Sequence, residues 1–197
     1  MPAVPLVRHW IVLLLVCVAA YWLGLDSVFL FDSGPGIAKN PALVFDSGNF
    51  MQWYNALFSS VSGPTGRPLS MLSFALNAQI SGELSAWAMK FTNLLLHAGM
   101  ALLAYHLILR LLIQSPQVDF NEQRASWLAA TAAALWLLHP LQVSTVLYAV
   151  QRMEQLAALA TLAALLVYVS YRPRWLQRAP TLAELSACLF GLAFMLG

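Results

Sequence analysis

Asp32 stands where the first long apolar run gives way to polar sequence, within Phe29-Leu-Phe-Asp-Ser-Gly-Pro-Gly-Ile-Ala-Lys-Asn-Pro41. A carboxylate at a helix end, under the apolar ledge Phe29 to Phe31 and beside a glycine- and proline-rich loop, is a candidate general base. Its other reading is a solvated aspartate that ends a helix. Phe45-Asp-Ser-Gly48 repeats Phe31-Asp-Ser-Gly34. Asp46 is therefore either the second carboxylate of a pair or, with Ser47, the N-cap of the next helix. Arg67 offers a planar guanidinium that matches a phosphate, of a bound lipid or of an ordinary headgroup. Lys90 offers the same charge, or it snorkels to the interface. Asn93 and His97 lie one helical turn apart and share a face, which suits hydrogen bonding across helices inside a bundle. His139-Pro-Leu-Gln142 and Gln151-Arg-Met-Glu154 flank an apolar turn. Arg152 there either pairs with Glu154 or faces an anionic ligand.

Other chemistries lack their residues. No nucleotide-binding loop, nucleophile triad or metal-ligand spacing occurs. The net charge is +2, with no basic run or basic–aromatic stripe, so nucleic acid is not an expected partner. Cys17 and Cys188 both lie in apolar runs and read as small buried hydrophobes rather than a disulfide framework.

The elements that must position these residues are membrane helices. The chain is 60% hydrophobic and 9% charged, whereas soluble domains carry about a quarter charged residues. The expected fold is an all-α polytopic bundle of about five spans in a single transmembrane domain, 1–197. The spans are placed at about 10–31, 87–112, 125–140, 155–171 and 182–197. The first run has no Ala-x-Ala cleavage site and reads as an uncleaved anchor. Residues 32–86 form a loop with two amphipathic interfacial helices, around Phe50–Phe58 and Pro68–Asn77, separated by a turn at Ser62–Arg67. The fifth run is still apolar at Gly197, so the chain is expected to be the first part of a larger bundle.

Orientation follows from cations in the short loops. With the N-terminus inside, the inner segments hold Arg8, Arg110, Arg124, Arg172, Arg174 and Arg178. The outer ones hold Lys39, Arg67, Lys90 and Arg152. The stretches around Asp32 and His139 then emerge together on the outer side.

Four segments, in order, resemble the GT-C membrane glycosyltransferases, and most closely the protein O-mannosyltransferases with their tetratricopeptide-bearing relatives. They are Phe29-Leu-Phe-Asp32 with Ile37 and Asn40-Pro41; Gly66-Arg-Pro-Leu-Ser-Met-Leu-Ser-Phe-Ala-Leu-Asn77; Thr92-Asn-Leu-Leu-Leu-His97; and Leu138-His-Pro-Leu-Gln142 with Val150-Gln-Arg-Met153. The resemblance implies an enzyme that transfers a sugar from a polyprenyl-phosphate donor to a hydroxyl of a protein or glycan acceptor, with inversion, at the outer membrane face. It implies Asp32 as the base that deprotonates the acceptor. Arg67, Arg152, His139 and Asn40 are the residues it offers to the donor phosphate. The implied location is a multi-pass bacterial inner membrane, N-terminus cytoplasmic, site facing the periplasm. Members commonly carry a second acid directly after the first. Here that position is Ser33, which leaves the cofactor open between none and a divalent metal. The alternative is a non-catalytic scaffold or lipid-binding subunit on the same fold.

Overall fold

Long runs dominated by leucine and alanine, the best helix formers, become helices, and the described residues contain no strand. The structure, a computed structural model, describes residues 4–45, 49–60, 66–115, 121–177, 181–186 and 189, with side chains from Trp10 onward. In chain order the helices are α1 (Val4–Leu25), α2 (Phe50–Leu57), α3 (Pro68–Ser81), α4 (Ala86–Ile113), α5 (Glu122–Leu137), α6 (Gln142–Leu147) and α7 (Arg152–Trp175). A π-turn at Gly34–Ala38 and 3-10 turns at Pro41–Leu43 and Ala149–Gln151 join them. The expected all-α class is what forms. Two helical stretches, Ala86–Ile113 and Ala149–Trp175, are long and apolar enough to cross a membrane, and Trp10–Leu25 is a shorter apolar helix.

These two helical stretches cover the residues 87–112 and 155–171, where spans are expected. The others differ. α1 ends at Leu25 rather than Phe31, because Ser27 folds back and donates its hydroxyl to the Gly24 carbonyl at 2.8 Å, an alternative to continuing the helix. α5 has 16 residues, roughly 24 Å of helix against a hydrocarbon core of about 30 Å. Of the run expected at 182–197, residues 182–186 are helical, and 190–197 lie outside the described residues.

The chain divides into two compact units. The first comprises Met1–His97 and Pro140–Leu156. Both expected loop helices, α2 and α3, form within it. Asn49 caps α2 by accepting from the Met51 amide at 2.9 Å; Asp46 and Ser47, the expected caps, lie outside the described residues. Pro68 opens α3, where its missing N–H is no loss, and Gly82, at φ +72°, closes it in the left-handed conformation. Ile37, Leu43, Ala56, Met71, Phe74, Ala75, Met89, Ala149 and Met153 bury together as the core. So the loop after α1, α2, α3 and the beginnings of α4 and α7 share one apolar centre. α6 returns against α1 through Gly24, where an added Cβ would stand 2.4 Å from Leu147 Cδ1.

The second unit comprises Ala98–His139 and Ala157–Leu196. The buried face of α5 is Ala125, Ala129, Ala133 and Leu137, and the three alanines, spaced four apart, let helices approach closely. Tyr105 and Ser126 join α4 to α5 through their hydroxyls at 3.0 Å. Pro173 lies inside the last turn of α7 and has no N–H to give the carbonyl four residues earlier, Val169. Gln114 Nε2 donates to that carbonyl at 3.2 Å, so a side chain at the end of α4 supplies the bond that proline withholds.

The contact at Gly24 generates a prediction. Gly24→Val should destabilise the protein by about 1–3 kcal/mol through overpacking, and adding Leu147→Ala should return most of that loss. Thermal unfolding of the two single variants and the double variant in detergent measures the coupling; additive effects would show that this approach is loose.

Candidate functional site

Asp32 is exposed on a turn whose shape is set on both sides. Before it, Phe31 adopts φ +47°, a left-handed conformation that is costly for a bulky residue. The Phe31 ring packs against Tyr148 with centroids 5.5 Å apart. After it, Ser33 is fully buried, and its Oγ accepts from the Val150 amide at 3.2 Å. Asp32 itself contributes its carbonyl, which accepts from the Gly36 amide at 3.0 Å. The residue in the second-acid position is thus a buried peg between the Asp32 turn and the segment before α7. The loop after α1 and the turn before α7 are in direct contact.

A buried lysine supports the turn from behind. Lys90 is completely buried rather than snorkelling as expected. Its Nζ donates to the Ser27 carbonyl, to Ser27 Oγ at 2.6 Å and to the Val28 carbonyl at 3.1 Å. A cation there meets the carbonyl-rich C-terminal end of α1, where the helix dipole favours positive charge. Lys90, Asn93 and His97 are all fully buried and stand at i, i+3 and i+7. On sequence only Asn93 and His97 are paired; the same helical spacing extends that face to Lys90. His97 meets the Tyr21 ring edge-on, centroids 6.2 Å apart.

Arg152 is also fully buried. Its Nε donates to Asn93 Oδ1 at 3.0 Å, Nη2 to the Met89 carbonyl at 2.7 Å, and Nη1 to the Ser73 carbonyl at 3.1 Å and its hydroxyl at 3.4 Å. The guanidinium lies over the Phe74 ring, 4.6 Å from its centroid. Asn93 in turn donates through Nδ2 to the Tyr148 carbonyl at 3.0 Å. One guanidinium therefore binds α3, α4 and α7. Arg152 does not pair with Glu154, as one reading had it. Glu154 pairs with Arg67, Oε1 to Nη1 at 2.6 Å.

Arg67 is the cation at a surface, with its side chain 38% exposed. It adopts φ +46° immediately before Pro68, a second strained non-glycine position, and its carbonyl accepts from the Ser70 and Met71 amides. Asn40 accepts from the Ala42 amide at 3.1 Å and donates to Ser59 Oγ at 2.9 Å, which ties the loop after α1 to the end of α2. His139 is exposed at the end of α5, its amide donating to the Trp136 carbonyl at 3.3 Å. Asp32, Asn40, Arg67 and Arg152 all fall in the first unit, and His139 falls in the second. Among the described residues, no group of three or more His, Cys, Asp or Glu side chains comes together that could hold a metal ion.

The chemistry this geometry allows is that of an exposed carboxylate on a pinned turn. It is borne by the same compact unit that carries a half-exposed guanidinium engaged with one carboxylate.

Arg152 is the residue on which this frame can be tested. Arg152→Met should cost about 2–4 kcal/mol, since it leaves several buried acceptors unsatisfied. Arg152→Lys should recover only part of this, because a point charge cannot reproduce the fork. Thermal denaturation of purified protein checks both, and an Arg152→Met variant as stable as the parent would show that the guanidinium is dispensable to the fold.

No protein-family profile matches the chain, and no solved structure does. Curated relatives do match. The chain is 29% identical over 162 residues to protein O-mannosyl-transferase TMTC4 of Homo sapiens, a stretch that covers 78% of this chain and 21% of the relative. It is 27% identical over 172 residues to protein O-mannosyl-transferase F38B6.6 of Caenorhabditis elegans, 84% of this chain and 24% of the relative. With protein O-mannosyl-transferase Tmtc2 of Drosophila melanogaster it shares 32% identity over 125 residues, 62% of this chain and 12% of the relative. The chain spans no more than about a quarter of the length of these relatives. Along most of its own length, then, the chain is distantly similar to the TMTC protein O-mannosyl-transferases, a GT-C-type membrane glycosyltransferase family, in line with the resemblance carried by its four ordered segments.

Proposed function

We propose that this chain is the donor-side, base-bearing part of a membrane glycosyltransferase, a bundle of about five spans that moves a sugar from a polyprenyl-phosphate carrier to a hydroxyl acceptor. The observation that carries this reading is the similarity to protein O-mannosyl-transferases over most of the chain. It also makes mannose the sugar to try first and a protein hydroxyl the acceptor. The structure supports the reading by leaving Asp32 exposed on a turn held by Ser33, Phe31 and Lys90.

In the proposed step the Asp32 carboxylate takes the acceptor hydroxyl proton. The hydroxyl oxygen forms a bond to the anomeric carbon as the bond from that carbon to the phosphate oxygen breaks. The configuration inverts, and polyprenyl phosphate leaves with the electron pair. A positioned base contributes typically ~10²–10⁴-fold. A cation beside the departing phosphate stabilises its developing charge. In this scheme Arg67 takes that role, exchanging Glu154 for phosphate while staying at the surface. Arg152 and Asn40, bonded within the protein, act in this scheme by holding the frame; His139 remains a candidate contact to the donor. The site faces the periplasm, with the N-terminus cytoplasmic.

A second reading, a non-catalytic scaffold or lipid-binding subunit, is favoured by one observation: Arg152, a cation offered to the phosphate, is completely buried.

The test uses membranes containing the full chain, polyprenyl-phosphate mannose and a serine- or threonine-rich acceptor peptide. Asp32→Asn should lower mannose transfer by at least about 10²-fold with membrane insertion and melting temperature unchanged. Transfer that survives the substitution rules out Asp32 as the base. No transfer by the parent, with donor still bound, supports the scaffold reading.

A further inference from the structure

The second unit holds a pocket that the glycosyltransferase reading does not use. Its volume is about 350 Å³, and it is lined by Arg110, Leu166, Val167, Ser170, Tyr171 and Arg174, within the range of small-molecule sites of roughly 300–1,000 Å³. The lining comes from the ends of two helices that run in the same direction. Gly99 faces Leu159, where an added Cβ would stand 3.6 Å from the leucine methyl. Fifteen residues on, Gln114 reaches the Val169 carbonyl. The last turns of α4 and α7 therefore end side by side. These are also the helices long and apolar enough to cross a membrane, so the pocket sits where apolar helix meets water.

Its chemistry is that of an anion site with an apolar floor. Arg110 and Arg174 come from different helices to one cavity. Among the described residues neither arginine pairs with a carboxylate. The Arg174 guanidinium lies 5.6 Å from the Tyr171 ring centroid, which holds it beside the cavity. Glu184, the acidic residue nearest Arg174 in sequence, is occupied with the Trp175 indole at 3.0 Å and the Thr181 amide at 2.8 Å. Ser170 adds a hydroxyl, and Leu166 and Val167 add apolar surface toward the span. Tyr171 stacks on Trp175, centroids 6.4 Å apart, and Tyr168 meets the same indole at 5.9 Å. Such clustered aromatics mark the headgroup level of a membrane. The end of the unit that carries Arg110, Arg124, Arg172 and Arg174 is its basic end, the cytoplasmic one by charge bias.

We propose that Arg110 and Arg174 bind the phosphate of an anionic phospholipid headgroup at the cytoplasmic surface, with Ser170 and Tyr171 beside it and the acyl chains running along Leu166 and Val167. Paired arginines recognise a phosphodiester by parallel N–H donors. Basic pockets between spans on this side of a membrane are suited to such headgroups.

Binding of fluorescent phosphatidylglycerol to the purified full chain in detergent micelles, with phosphatidylcholine as reference, tests this. Phosphatidylglycerol should bind about tenfold or more tightly than phosphatidylcholine. Arg110→Gln/Arg174→Gln should abolish that preference. Arg124→Gln/Arg172→Gln, which removes two charges from the same unit outside the pocket, should keep it. Preference that survives the first pair, or that falls equally in both pairs, overturns the site. Displacement by glycerol 3-phosphate at the lipid's own concentration overturns the lipid assignment in favour of a soluble phosphate ester. If the glutamine pair does not give a monodisperse helical protein, Arg110→Lys/Arg174→Lys decides. It keeps the charge and removes the fork, so weakened phosphatidylglycerol binding supports the site and unchanged binding overturns it.

Discussion

A buried guanidinium needs its donors occupied and its charge countered, and the first unit of this chain is arranged around meeting that need. Arg152 takes its acceptors from Asn93, Met89 and Ser73 and its ring face from Phe74. Each acceptor lies on a different turn, and together they fix where α3 and α4 can stand relative to the start of α7. Carbonyl dipoles and an amide, rather than a carboxylate, supply the compensation. Such a set is stringent, because a buried polar group that loses one partner is penalised by its desolvation. It also explains why Asn93 is shared: its oxygen serves Arg152 while its nitrogen serves the Tyr148 carbonyl. The segment beneath the Asp32 turn is thereby held by the same network as the core.

Lys90 repeats the device on a smaller scale. α1 stops at Leu25, and the ammonium collects the carbonyls of Ser27 and Val28 just beyond its end. The apolar ledge and the carboxylate that follow are therefore presented from a clamped helix end. A reactive group is most effective when the shell behind it is fixed. The strain at Phe31, balanced by its packing on Tyr148, belongs to the same arrangement.

Much of this fold was written in composition and spacing. Leucine- and alanine-rich runs bounded by prolines and polar loops marked α4 and α7, and aromatic and apolar residues at helical intervals marked α2 and α3. Counting spans put the Asp32 and His139 stretches on one side of the membrane, but it could not foresee that Ser33 would bond the Val150 amide. What spacing could not convey was depth. A lysine or arginine near a helix end looks alike whether it reaches outward to headgroups or inward to carbonyls. The acceptors that decide between these are backbone oxygens, which carry no letter in the sequence. Asn93 was legible as a cross-helix polar residue, whereas its partner Arg152 was not, since the two lie 59 positions apart. The end of α1 was misplaced for a similar reason: the Ser27 hydroxyl competes for a carbonyl, a local bond that an apolar average smooths over. Gln114, a loop residue by composition, meets the carbonyl that Pro173 frees, and only the fold brings those two together.

Ser33 carries a consequence for how this chain can diverge. Its hydroxyl is an acceptor of modest size in a space with no exposure, and its partner is a main-chain amide. An aspartate or glutamate could not enter that position by a single replacement. It would bring a charge and added volume into a closed site, and relief would require the turn before α7 to move away, carrying Val150 with it. The partner at 150 is a main-chain amide, so any residue but proline there keeps this bond, and the restriction falls on position 33 alone.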